Sequence, residues 1–106
     1  MDREYPTEEE LERIENWDHT LPVMKLLDDI ESLWHWSEWG FKKYWGFNSL
    51  RRRVLKVELH TGGWSGNEEI IGALQKTVFW NLYWEKSIRG GHYYFEIPKS
   101  MIKGQT

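Results

Sequence analysis

Apolar residues recur at helical spacing twice in the first third of the chain. Leu11, Ile14 and Trp17 lie along one side of a segment that Pro6 and Thr7-Glu8-Glu9-Glu10 open. That opening has the form of a capping box, in which a Thr side chain and a Glu three residues on exchange hydrogen bonds with each other's backbone, so a first helix is predicted over 8–17. A second start follows at Thr20, with Pro22 tolerated in the first turn. From there Val23, Leu26, Leu27, Ile30, Leu33 and Trp34 fall within one arc of a helical wheel, and Lys25, Asp28, Asp29, Glu31, Ser32 and His35 fill the opposite arc. Over 36–47 the period changes. Trp39, Phe41 and Trp45 alternate imperfectly with polar residues, and Gly40 and Gly46 intervene, a composition that favours a strand over a helix interior. Asn48-Ser49 supplies a turn, and 51–60 returns with Leu55, Val57 and Leu59 on one side and Lys56, Glu58 and His60 on the other. A hairpin is predicted.

Ser65-Gly66-Asn67-Glu68 reads as another capping box. Behind it Ile70, Ile71, Leu74, Val78 and Leu82 form one apolar stripe, with Ala73, Trp80 and Trp84 forming a second beside it. So wide an apolar surface predicts one long central helix covered on two sides, which Arg89-Gly90-Gly91 stops. His92 to Ile97 then reads as a last strand closed by Pro98. A strand, a helix and a strand in succession imply a right-handed crossover and parallel pairing of the two strands. The expected fold is therefore α+β: two N-terminal helices, a β-hairpin, a long central helix and a final strand in one small sheet. It forms a single domain over 1–106, with an acidic helical segment, 1–35, ahead of a β-β-α-β segment, 36–106.

Composition narrows the chemistry. The chain has 106 residues, enough for one core, and draws on eight tryptophans, five tyrosines and four phenylalanines to build it. It has no cysteine, which excludes a disulfide framework, thiol catalysis and cysteine-ligated zinc. The apolar runs are too short to span a bilayer and the acidic N-terminal stretch resembles no signal peptide, so a cytoplasmic protein without membrane attachment is expected. Charge is uneven: residues 1–31 carry eleven Asp or Glu against three Lys or Arg, whereas 32–106 carry six against eleven. Either the two halves complement each other or the basic half faces a polyanion, and the first is the simpler account.

The segment His60-Thr61-Gly62-Gly63-Trp64-Ser65-Gly66-Asn67-Glu68 joins a buried strand to a helix start. A glycine-rich turn at a helix N-terminus presents free backbone N–H groups beside the positive end of the helix dipole, a setting suited to an anion. Thr61, Gly62, Gly63, Trp64, Ser65, Gly66 and Asn67 are therefore the candidate ligand-binding residues. The loop lacks the lysine of a phosphate loop and is not G-x-G-x-x-G. Against an anion, the glycines also serve simply to turn the backbone, and Glu68 would repel negative charge.

Other candidates are less specific. Trp39, Tyr44 and Trp45, with Trp36 and Phe47 nearby, form a candidate partner-binding surface, since tryptophan dominates binding energy at interfaces. His60 and His92 would meet only if their strands were antiparallel. Even with Glu58 or Glu96 they lack the spacing of a metal motif, so no metal and no cofactor is expected. The G-W-S-G order misses the G-x-S-x-G nucleophile elbow by one residue. Arg51-Arg52-Arg53 with Lys42, Lys43 and Lys56 could meet phosphates, but strand alternation splits the arginines between two faces and the chain is acidic, so nucleic acid is not favoured.

The run 59–71, Leu-His-Thr-Gly-Gly-Trp-Ser-Gly-Asn-Glu-Glu-Ile-Ile, followed by Arg89-Gly90-Gly91-His92-Tyr93-Tyr94-Phe95-Glu96-Ile97, resembles small uncharacterised proteins of phages and prophages over about 54–97. The resemblance implies a viral or prophage origin and an α/β core, and brings no activity with it. The expected function is that of a non-catalytic binding protein acting on a host component. The alternatives are a binder of a small phosphate-bearing ligand such as a nucleotide, and a minor enzyme using His60 or His92.

Overall fold

The first capping box forms as its sequence requires. The Thr7 hydroxyl accepts from the Glu10 N–H at 3.1 Å and the Glu10 carboxylate accepts from the Thr7 N–H at 2.8 Å, which starts helix α1, Glu8–Glu15. The computed structural model describes residues 5–102. Helix α2, Val23–Leu33, buries Val23, Leu26, Leu27 and Ile30 along the expected arc. Pro22 stands just outside it as the N-cap rather than in its first turn.

The segment expected to be strand from Trp36 onward begins differently. Trp36 adopts a left-handed backbone conformation, φ +61°. The chain then makes one helical turn, α3, Ser37–Gly40, before strand β1, Phe41–Phe47. The turn lies against the neighbouring strand because Gly40 has no side chain: a Cβ there would stand 2.5 Å from the His60 carbonyl and 2.7 Å from Trp34 Nε1. That close approach lets the buried Trp34 indole donate to the His60 carbonyl at 3.2 Å.

Strand β2, Arg53–His60, pairs antiparallel with β1, Phe41 opposite Leu59 and Phe47 opposite Arg53. The expected hairpin is thus present. Its turn is held by Asn48, whose side-chain oxygen accepts from the N–H groups of Leu50 and Arg52.

The single long helix is replaced by two helices and a strand. Helix α4, Ser65–Gln75, stops at Lys76. Thr77 is extended and its hydroxyl donates to the Leu74 carbonyl at 2.6 Å, closing the helix end. Helix α5, Val78–Tyr83, follows, and then edge strand β3, Trp84–Ile88. The apolar stripe ran on through the break because both helices pack on the same core; Leu82, counted in that stripe, is exposed. The second capping box is also absent: Trp64 is the N-cap of α4, and no side chain caps the helix there.

Arg89-Gly90-Gly91 does not stop a helix but turns β3 into strand β4, His92–Pro98. The sheet order is β1-β2-β4-β3, with every pair antiparallel. The parallel crossover is therefore overturned: with a strand inserted at the far edge, the chain re-enters beside β2 running the other way, and His92 lies opposite His60. The α+β class with one small sheet stands.

The helices cover one face of the sheet. Leu55, Val57, Leu59, Phe95 and Ile97 meet Ile14, Leu27, Ile30, Ile70, Leu74 and Phe79 in one apolar cluster. Phe79 is its centre, with ring centroids 5.2 Å from Tyr83, 5.2 Å from Phe95 and 6.0 Å from Trp17. Beside it Trp80 stacks on the exposed Trp84 at 6.4 Å and 13°. The other face, by the pairing register, carries Lys42, Tyr44, Lys56, Glu58, His60, His92, Tyr94 and Lys86 toward solvent. Among the described residues no helix is long and apolar enough to cross a membrane.

Candidate functional site

The glycine-rich loop is a joint within the fold. Thr61 and Asn67 are both 1% exposed. The Asn67 side-chain oxygen accepts from the His35 N–H at 2.8 Å, and its amide nitrogen donates to the carbonyls of His35 at 3.0 Å and Thr61 at 3.2 Å. One side chain thus ties the segment after α2 to the loop before α4, and both of its donors are spent. Thr61 donates its N–H to the Gly91 carbonyl, and its hydroxyl packs against Gly91 with no partner. Gly62 and Gly63 take left-handed angles, φ +63° and +80°, as the turn demands. Gly66 is buried in the first turn of α4. Of the seven residues expected to hold an anion, Thr61 and Asn67 are therefore internal. Gly62, Gly63 and Ser65 face solvent, and Trp64 is half-buried.

Trp64 belongs to a different feature. Its ring packs on His35 at 4.8 Å and meets Trp36 edge-on at 5.4 Å and 83°. Trp36 in turn stacks on Trp39 at 5.9 Å and 28°. Trp36 is 58% exposed and Trp39 43%. A non-glycine residue at positive φ carries strain of about 1–3 kcal/mol, and here that strain belongs to the residue whose large apolar ring is most open to water in this cluster. Beside the rings runs an open groove of about 850 Å³, lined among others by Tyr5, Glu31, His35, Trp36, Glu38 and Trp64.

At the far side of Trp39 lies His60, ring centroids 6.0 Å apart. His60 heads a chain of polar contacts on the open sheet face. Its Nδ1 is 2.7 Å from Nδ1 of His92 and its Nε2 is 3.0 Å from Glu58. The Tyr44 hydroxyl donates to the same carboxylate. Partial burial raises the affinity of Glu58 for a proton. The hydrogen bonds from Tyr44 and His60, with the charges of His60 and Lys42, outweigh it and hold the carboxyl below its ordinary value. The same bond, with partial desolvation and the nearby Glu58 charge, pushes the Tyr44 phenol up to about 12. With Glu58 ionised, His60 donates from Nε2 and one proton is shared between the two Nδ1 atoms. This leaves His92 Nε2, beside Gly90, as the outer end of the chain.

The expected partner surface is thus divided. Trp39 joins Trp36 and Trp64, Tyr44 joins the histidines, and Trp45 lies on the helix side of the sheet under Arg53, whose guanidinium is 5.3 Å from its ring centroid. Glu31, Glu38 and Tyr5 were not expected at any site. In the sequence Glu31 is simply one of the polar arc of α2, and its position in the last turn beside the aromatic run is the available signal. Among the described residues no group of three or more His, Asp or Glu is arranged to hold a metal ion. Comparison with protein-family models, with curated proteins and with solved structures returned no match for this chain.

Proposed function

We propose that this chain is a non-catalytic binding protein that engages a host protein through the surface formed by Trp36, Trp39 and Trp64. Origin in a phage or prophage is part of the same proposal and rests on the sequence resemblance alone. The observation that carries the reading is Trp36. Its backbone is held in a left-handed conformation while its indole, 58% exposed, stacks on a second exposed indole. Folding alone gives no return for strain that turns an apolar ring into water, whereas an aromatic anchor at an interface does.

The test is site-specific photo-cross-linking. A benzophenone amino acid at Ser37, on the groove, should give an adduct with a host protein in host extract. The same group at the exposed Asn81 of α5 should not. Adducts at neither site, or equally at both, would remove the reading.

A second reading, an enzyme working through His60 and His92, is supported by one observation, the unbroken chain from Tyr44 through Glu58 and His60 to His92. Such a chain could set the basicity of its outer nitrogen. A His92→Ala variant that keeps the host adduct at Ser37 but loses a turnover detected in the parent would support it.

A further inference from the structure

Resting on the proposed function, we infer that the group seated in the groove is the guanidinium of an arginine in a basic segment of the partner protein. Three sources of negative potential meet there. Glu31 and Glu38 both line the groove. Glu31, Ser32 and Leu33 are the last turn of α2, so the helix presents its carbonyl end, the negative pole of its dipole, to the same space. Among the described residues the lining holds neither lysine nor arginine to neutralise them.

The aromatic part of the lining selects the same charge. Trp36 and Trp64 meet edge to face and both line the groove, so a ligand there has indole rings within reach. A tryptophan face attracts a cation through the negative charge of its π-system, and more strongly where water is excluded. Among cations the guanidinium is flat, stacks on an indole, and still offers its edge N–H groups to carboxylates, whereas an ammonium is a compact and strongly hydrated point charge. The acidic excess of residues 5–31, nine Asp or Glu against two Lys or Arg, would steer a basic segment toward the two N-terminal helices, the second of which ends at the groove.

The experiment is a titration of the full chain with tetra-arginine, tetra-lysine and tetra-glutamate peptides, followed by the NMR signals of the indole N–H groups. Tetra-arginine should shift Trp36 and Trp64 saturably while the buried Trp17, which lies outside the groove lining, stays in place and reports that the fold is intact. Tetra-lysine should bind several-fold more weakly, and tetra-glutamate should leave all three signals unmoved. The Glu31→Gln/Glu38→Gln variant should weaken tetra-arginine binding by about tenfold, and added salt should weaken it further in the parent.

A silent titration, an unchanged affinity in the double variant or an equal response to tetra-glutamate would overturn the inference. Equal affinity for tetra-lysine would overturn the assignment to guanidinium. If the titration is silent while the Ser37 adduct forms, the inference falls and the binding function stands. If both are absent, both fall.

Discussion

Trp17 and Trp34 sit inside the molecule, 7% and 4% exposed, whereas Trp36 and Trp39 sit on it, at 58% and 43%. The inner pair is held by what surrounds it. Trp17 meets Phe79 edge-on, and the Trp34 indole donates to the His60 carbonyl. The outer pair is held mainly by its own backbone: a left-handed residue, one turn of helix, and a glycine that lets the turn lie close to the strand. A single residue separates Trp34 from Trp36, and the two tryptophans lie on opposite sides of the boundary between core and surface. Aromatic content therefore says little about role until the backbone at each position is known. The two groups also meet at one point, Asn67, which clamps His35, the residue between them.

Substitutions that break one group should leave the other standing. The largest effect is expected at Phe79, which is fully buried at the centre of the core. Phe79→Ala should cost about 3–5 kcal/mol in chemical denaturation, with the surviving folded fraction binding tetra-arginine as the parent does. Asn67→Ala is the substitution that should damage both. Leaving the His35 and Thr61 backbone groups without partners should cost about 2–3 kcal/mol, and tetra-arginine affinity should fall at temperatures where the chain is still folded. If it does not, the clamp does not position the groove.

Trp36→Gly should separate the groups in the other direction. Glycine takes positive φ without penalty, so stability should change by less than about 1 kcal/mol, while formation of the host adduct from Ser37 should drop more than tenfold.

The smallest effects lie on the open sheet face. Tyr44→Phe removes the donor from Glu58, so the Glu58 carboxyl should titrate at higher pH by carbon-detected NMR. The pH dependence has two arms. Because the Tyr44 phenol is raised to about 12 when folded, its contribution is complete below the unfolded value near 10 and is lost as pH rises from there toward 12. Because Glu58 is lowered when folded, its contribution is present above the unfolded carboxylate value and fades as pH falls through the folded one. Thermal midpoints of parent and Tyr44→Phe should converge at both extremes.

The parts of the fold that local rules govern were legible. The Thr7–Glu10 box, the arc of α2, and the alternation of 54–60 with the Asn48 turn all follow from side chains acting on their own backbone or on one face. The break between α4 and α5 was not, because residues on both sides of Thr77 point at the same core and keep a helical period across an interruption. Strand β3 is exposed along its whole length at the sheet edge, so no alternation marks it. The available signal was two runs flanking Gly90-Gly91, a hairpin pattern. Missing it reversed the direction of β4 and hid the contact between His60 and His92. At the groove, the tryptophans were visible as a cluster, but a left-handed tryptophan has no sequence mark. The convergence of Glu31 and Glu38 with Trp64 depends on contacts between segments far apart in the chain.

The stacked indoles also have an optical consequence. Trp36 on Trp39 at 5.9 Å and 28°, and Trp80 on Trp84 at 6.4 Å and 13°, are close enough for their excited states to couple. Coupled indoles give paired bands of opposite sign in far-ultraviolet circular dichroism, superposed on the peptide signal. Helix content read from such a spectrum would be distorted, although the same bands make each pair its own reporter. Difference spectra against Trp36→Gly and Trp84→Ala would isolate the two contributions, and a ligand that slides between Trp36 and Trp39 would extinguish the first while leaving the second.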